Sequence, residues 1–303
     1  MIFLPFLLGF APGLFFLWWI RRQDIYEPEP WKWVIGVFAL GAFFTLLAVP
    51  LEEVGLAPLG GKIQLNGPPA KAGDWYHLFF VSFVVAGPIE ELCKYAAVRF
   101  SVYRSAVFDE PLDGLVYSSA AALGFASLEN VFFTFQNGPS VMLVRAPLST
   151  LGHVFFAAMW GYSLGVHRLG IARRGTVGRG LFASMFLHGL FDFVLLTQTV
   201  LALAVLPLMA VAGRMTWLRI KEYQRISPFR ERRPERLVRC PSCGGFIEET
   251  SAFCNFCGIR VEFVPENVRL HCGHCREAVA PEARFCNACG HSLIPDPGGP
   301  GPA

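Results

Sequence analysis

Charge is what this chain has little of. Only 16% of its 303 residues are Asp, Glu, Lys or Arg, 53% are hydrophobic, and the mean hydropathy is +0.44. Soluble globular chains carry roughly 25% charged residues, so a wholly water-exposed fold is excluded. Cysteine is missing from the first 239 residues except at Cys93, and eight Cys bunched at one end of a long chain exclude a small disulfide-stapled scaffold. Positive charge is missing ahead of the first apolar run, which leads into Arg21-Arg22 rather than a small-residue cleavage site; the run therefore reads as a membrane helix and not as a removable signal peptide. Disorder is excluded by what is abundant, 29 Phe and 7 Trp.

A helix needs about 20 mostly apolar residues to cross hydrocarbon, because its backbone polar groups must be satisfied within the segment. Seven segments reach that length: 2–20, 31–51, 76–98, 113–136, 148–167, 180–197 and 199–218. The expected fold class is an all-α polytopic membrane bundle of about seven transmembrane helices. The last two segments make a tight hairpin around Thr197-Gln198-Thr199, with a re-entrant pair as a variant. Arg21, Arg22, Arg99, Arg104, Arg168, Arg173, Arg174, Arg179 and the stretch from Arg214 fall on one side, and only Lys62, Lys71 and Arg145 on the other. The positive-inside rule then places the protein in a cell membrane with its N-terminus outside and its C-terminal part in the cytoplasm. The loop 52–75 faces outward, with its Gly-Gly, Asn-Gly and Pro-Pro pairs.

Residues 214–239 hold nine basic residues against Glu222, Glu231 and Glu235. That is an inside anchor and solvated linker, with contact to anionic lipid as a second role. Beyond it Cys240, Cys243, Cys254 and Cys257 recur 32 residues later as Cys272, Cys275, Cys286 and Cys289. Two residues between thiolates let a tight knuckle offer both sulfurs to one ion, and two knuckles complete a tetrahedral four-sulfur site. In a reducing compartment such thiols bind metal rather than pair. The repeats resemble a double zinc ribbon with two structural Zn²⁺ ions, with Gly244, Gly258 and Gly290 relaxing the turns. His271, His274 and His291 are bystanders, since four Cys saturate each ion. A cytoplasmic protein partner suits such ribbons, and their small net charge gives no strong nucleic-acid signal. Cys93 reads as a small apolar core residue. The domain limits are 1–218 for the membrane part, 219–239 for the basic linker, 240–291 for the ribbons and 292–303 for a tail.

Ionisable residues inside membrane segments are a functional signal, because each costs about 2.5–3.5 kcal/mol to insert. Glu90 and Glu91 lie in the third segment, Glu129 in the fourth, His153 in the fifth, His188 and Asp192 in the sixth. Pro88 loosens the backbone just before the acid pair by removing a donor. Lys94 can reach either acid, and adjacent carboxylates diverge by about 100° around a helix, so one of the two faces the centre. Straight-helix arithmetic does not level these groups: Glu90 and Glu91 come out about 21–23 Å below residue 76, whereas His153 is about 8 Å below its outer edge. Helix breaks must close that gap. A carboxylate to polarise water, with imidazoles to protonate a leaving nitrogen and stabilise an oxyanion, is the minimum kit for amide hydrolysis.

The set Glu90-Glu91-x-x-Lys94, Phe125-x-x-x-Glu129, His153 and His188-x-x-x-Asp192, in order on successive helices, resembles the PrsW family of intramembrane proteases, itself similar to the type II CAAX prenyl proteases. The resemblance spans about residues 10–200. It implies an endopeptidase that cuts membrane-protein substrates, typically the first cut of an anti-sigma factor, with Glu90 or Glu91 activating the water and His153 and His188 completing the site. Glu129 stands where the CAAX relatives have His. Two His and a carboxylate form an acceptable catalytic metal set, but no His-Glu-x-x-His helix is present, and a glutamate mechanism without a catalytic metal is the preferred reading. A proton- or ion-coupled transporter and a membrane-tethered ribbon scaffold are the alternatives; the first lacks paired halves with matching helix interruptions, and the second has no use for buried acids.

Overall fold

A computed structural model describes residues 3–59, 68–171 and 175–229, and in the tail residues 237–240, 242–243, 246–248, 253–254, 257–260, 272, 274–275, 277, 279 and 284–293. Lys62, Arg173, Arg174, Gly244, His271, the glycine turns of 60–67 and residues 230–236 of the basic linker lie outside the described residues. The chain forms two compact units, Met1–Glu231 and Arg232–Ala303.

The first unit is helical. Its elements are α1 (Phe3–Arg21), α2 (Trp31–Leu56), α3 (Ala72–Phe80), α4 (Gly87–Phe100), α5 (Pro111–Asn137), the single turn α6 (Met142–Val144), α7 (Thr150–Arg168), α8 (Thr176–Leu196) and α9 (Val205–Ile226). A π-helical stretch, Val81–Ala86, joins α3 to α4 into one rod, and a second, Arg145–Ser149, leads into α7. The seven rods coincide with the seven segments expected. The sixth and seventh are two separate helices, broken at Thr197–Thr199 where Gln198 takes a φ of 50°. The last helix runs to Ile226, into what the sequence assigned to linker.

Six of these rods are long and apolar enough to cross a membrane; α5 is not. Its 27 residues would reach about 40 Å, but it carries Asp113, Ser118, Ser119, Ser127, Glu129, Asn130 and Thr134. The reason is position. Every residue from Pro111 to Ser127 is buried, and α1, α2 and α7 pack around it. Hydropathy measures exposure to lipid, and a helix enclosed by other helices is free to be polar. Close approach is set by small residues: a Cβ on Gly124 of α5 would overlap the carbonyl oxygen of Phe38 on α2.

The N-cap of α5 is Glu110. Asp113 sits three residues later, where its Oδ2 accepts the backbone N–H of Asp109 and Glu110, both at 2.7 Å, and so satisfies donors the helix leaves free.

In the second unit a short antiparallel hairpin pairs β1 (Leu237–Arg239) with β2 (Phe246–Glu248). The repeat is visible in the backbone. Phe253 bridges Arg260 and, 32 residues on, Phe285 bridges Ser292. Gly258 and Gly290 follow the second cysteine of their knuckles with φ of 75° and 74°, the left-handed turn expected of them. Packing between the repeats is reciprocal, since Gly258 lies against the Phe285 ring and Gly290 against the Phe253 ring.

Candidate functional site

Four rods bring their ionisable groups to one point. Lys94 donates to Glu90 Oε2 at 3.0 Å, to Glu91 Oε1 at 2.8 Å and to His153 Nδ1 at 2.8 Å, so its three ammonium protons are all used. Its Nζ also lies 4.6 Å from the centre of the Phe125 ring. His153 Nε2 lies 3.0 Å from Glu129 Oε2, and His188 Nδ1 lies 2.9 Å from Glu91 Oε1. The other nitrogens, His153 Nδ1 and His188 Nε2, stand 3.7 and 3.6 Å from the same atom, Glu90 Oε2. Asp192 is 3.5 Å from His188 Nε2. All six residues named from the sequence therefore belong to one cluster.

The expected gap in depth closes in an unexpected way. Glu129 is eight residues from the end of its rod at Asn137, whereas Glu90 is 18 residues from the start of its own at Ala72. Both meet His153, so those two helix ends differ in height by about 15 Å if the rods run straight. Level helix ends were the faulty premise. Next to Pro88, which has no N–H to give, the π-helical stretch ends with Gly87 N–H bonding Ser82 O, five residues back. Gly87 and Gly189 then let the rod and α8 approach closely: a Cβ on either would lie 2.7 or 2.8 Å from a backbone oxygen of the other helix. That contact carries His188 to the acid pair.

The two glutamates differ in their partners. Glu91 is saturated: Lys94 and His188 share Oε1, while Trp160 Nε1 at 3.0 Å and Ser184 Oγ at 2.6 Å donate to Oε2. Glu90 accepts from Lys94 alone through Oε2, and its Oε1 accepts no hydrogen bond among the described residues. Glu129 is held by Arg145 at 2.8 Å, whose Nε also donates to Asn130 at 2.7 Å, and Asn130 in turn donates to Thr150. Side chains of Glu129 and Asp192 are 19% and 23% exposed, against 9% or less for Glu90, Glu91, Lys94, His153 and His188. The cluster is most exposed on the Glu129 and Asp192 side.

Several members escaped the sequence. Arg145 counted as an outer-loop charge but is drawn in by Glu129. Ser184 shares the four-residue spacing of His188 and Asp192 along α8, a signal available in advance. Glu52, on the last turns of α2, interacts electrostatically with Glu90, Glu129, Asp192 and His188; the second segment had been ended one residue before it. Trp160 gave no signal, because an indole in an apolar helix looks like core.

Three of these donors are of the kinds a catalytic metal takes, with the Lys94 ammonium already on two of them, Glu90 Oε2 and His153 Nδ1. One atom from each of Glu90, His153 and His188 lies within 4.8 Å of the others, two imidazoles and a carboxylate being a familiar three-ligand set. Each imidazole has its outer nitrogen on a carboxylate, the arrangement that fixes metal-ligating histidines. In the tail, one sulfur from each of the four Cys in both repeats lies within 4.8 Å of the rest, and the sulfur pairs stand at 3.6–3.7 Å. A tetrahedron with Zn–S near 2.3 Å separates its sulfurs by about 3.8 Å, so both clusters fit zinc. Cys93 is buried with Ala48 and Phe125, as a small apolar residue.

A helical bundle with carboxylates and imidazoles gathered within the membrane defines the class, an intramembrane peptidase. The family model described as PrsW family intramembrane metalloprotease matches residues 29–214, and a double zinc ribbon model matches residues 240–290. The chain belongs to the PrsW family. It is 33% identical to Protease PrsW of Geobacillus kaustophilus over 191 residues, 63% of this chain and 79% of that protein. It is 32% identical to Protease PrsW of Bacillus subtilis over 203 residues, 66% and 87% of the two chains. No solved structure matches. A multi-pass membrane protease acts on membrane-protein substrates in a lipid environment.

Proposed function

We propose that Glu90 is the residue that activates water for peptide-bond hydrolysis and that Glu91 positions the site. The observation behind this is the asymmetry of the two acids: Glu91 has every lone-pair direction toward the cluster filled, while Glu90 keeps Oε1 open beside two imidazoles aimed at its Oε2. Glu90 Oε1 takes the proton of a water that attacks the scissile carbonyl, and His188 Nε2, with Nδ1 anchored on Glu91, delivers a proton to the leaving nitrogen. Lys94 and Glu129 hold His153, and Arg145 and Asn130 hold Glu129. If a metal is bound, Glu90, His153 and His188 hold it, and it polarises the carbonyl and acidifies the water.

The substrate reading is a single-span membrane protein, with an anti-sigma factor at its first cut as the leading case. The orientation with N-terminus outside and ribbons in the cytoplasm follows from the basic residues. The ribbons hold two structural zinc ions and offer a surface for a cytoplasmic protein; metal analysis of residues 235–295 expressed alone should give about two zinc per chain, and none would overturn that assignment.

Glu90→Gln, Glu91→Gln and His188→Ala, co-expressed with a single-span substrate, should each insert normally and abolish its cleavage. Unchanged fragments in all three would overturn the peptidase site. Cleavage lost to a chelator and restored by zinc assigns the metal-bound form; cleavage indifferent to chelation assigns the glutamate alone.

A further inference from the structure

A second set of buried acids lies away from the peptidase cluster, where the loop between α1 and α2 meets the start of α5. Asp24, Glu29, Glu110 and Asp113 are each at most 3% exposed. Carboxylates are almost never buried to this degree without a partner of opposite charge. Among the described residues none of the four forms an ion pair with Lys or Arg. Arg21 is close, yet its guanidinium donates to the backbone oxygens of Pro28 and Glu29 and lies over the Trp31 ring.

Each carboxylate is oriented through one oxygen. Asp24 Oδ1 accepts the Glu27 N–H at 3.3 Å, and Glu29 Oε2 accepts the Tyr117 hydroxyl at 2.5 Å. Asp113 Oδ2 accepts the two backbone N–H groups that open α5, and Glu110 Oε2 accepts the Ser227 hydroxyl. The remaining oxygens receive nothing from an N–H or O–H among the described residues. Two of them, Asp24 Oδ2 and Glu110 Oε1, are completely buried with no N–H or O–H donor, and the carboxyls face one another in pairs at hydrogen-bonding range, Asp24 with Glu110 and Glu29 with Asp113. One oxygen each from Asp24, Glu29 and Asp113 lies within 4.8 Å of the other two. Oxygens bound to one ion at about 2.1–2.4 Å can be at most about 4.8 Å apart, so the spacing suits a single shared ion.

Capping accounts for Asp113 Oδ2 and for nothing else here. Negative charges held together in a dry site must take up protons or a cation. We infer that Asp24, Glu29 and Asp113, with Glu110 against Asp24, bind one divalent cation of the hard class, Mg²⁺, Ca²⁺ or Mn²⁺. The all-oxygen donor set selects that class over zinc, which the thiolates and imidazoles elsewhere in the chain favour. The ion ties the α1–α2 loop to the first turn of α5 and, through Glu110 and Ser227, to the end of α9. This site is independent of the peptidase reading, since none of its ligands belongs to the Glu90 cluster.

The test uses the full-length protein in detergent, stripped with EDTA, freed of chelator, its ribbons reloaded with zinc, and then titrated with Mn²⁺ under electron paramagnetic resonance, with Mg²⁺ and Ca²⁺ as competitors. The wild type should bind Mn²⁺ and gain thermal stability from it. Asp24→Asn and Glu29→Gln should each weaken that binding at least tenfold, the scale on which loss of a metal-site group acts. His188→Ala, which disables the membrane cluster, should leave it unchanged and keeps the experiment decisive if the acid variants fold poorly. No Mn²⁺ binding by wild type or His188→Ala, or binding retained in both acid variants, would overturn the inference and leave the acids as proton-sharing pairs.

Discussion

The molecule buries carboxylates in two places and balances them in opposite ways. Around Glu90 the chain brings its own cations: Lys94 touches two acids and an imidazole, and Arg145 neutralises Glu129. Around Asp24 four acids face one another, and the nearby Arg21 is spent on backbone carbonyls. An internal ammonium gives a charge network that is complete without ligand and leaves one oxygen of Glu90 for chemistry. An acid cage without a cation is incomplete until something positive arrives. The first arrangement suits a catalyst and the second a clamp.

The largest effect should come from turning the first region into the second. Lys94→Met leaves Glu90 and Glu91 buried without their cation, and breaking such a pair costs about 3–5 kcal/mol; a fall in thermal stability together with complete loss of cleavage is expected, and a normally stable variant would show that the ammonium does not balance the site. Next come the two glutamates, which should separate. Glu90→Gln should lower cleavage by about 10²–10⁴-fold, the scale of general-base catalysis, with little change in melting temperature. Glu91→Gln should lower both, because an amide cannot accept from Lys94, His188, Trp160 and Ser184 at once. Equal melting temperatures for the pair would contradict the division of roles.

The acid cage should reveal itself through pH. Burial, reinforced by the charge of Glu110, raises the Asp24 carboxyl from its ordinary 3.8 to about 8, and burial raises Glu29 to about 7. The fold holds these protons and the unfolded chain releases them from about pH 4, so in metal-free protein this contribution is complete below pH 4 and fades as pH climbs to about 8. Asp24→Asn should flatten that decline in a melting series without divalent ions, and an unchanged slope would remove Asp24 as its source. Tyr117→Phe should have the smallest effect, about 0.5–1.5 kcal/mol for one lost hydrogen bond to Glu29, read by thermal melting in the same buffer.

The two regions were also unequally legible. Glu90, Glu129, His153, His188 and Asp192 stood out because a charged or imidazole side chain is costly inside an apolar run. Asp24 and Glu29 sit in a polar loop and Glu110 and Asp113 at a helix start, where acids are ordinary; nothing local marks them as buried. The same limit hid Arg145, which looked like a loop charge, and Trp160, which looked like core. Glu52 was lost to a helix boundary set at 51, five residues short of Leu56. The polar character of α5 was visible as composition, but its enclosure by α1, α2 and α7 was not.

Seven helical rods, the paired cysteine knuckles and the set of intramembrane acids and imidazoles were determined by the sequence alone, because apolar length, the spacing of thiolates and the cost of charge in hydrocarbon are local properties. The tertiary structure decided which glutamate keeps a free oxygen, how rods of unequal height meet at His153, and that four unremarkable acids share one dry pocket. Those outcomes depend on contacts between helices far apart in the chain, where side chains reach across gaps that no count of residues along one helix can measure.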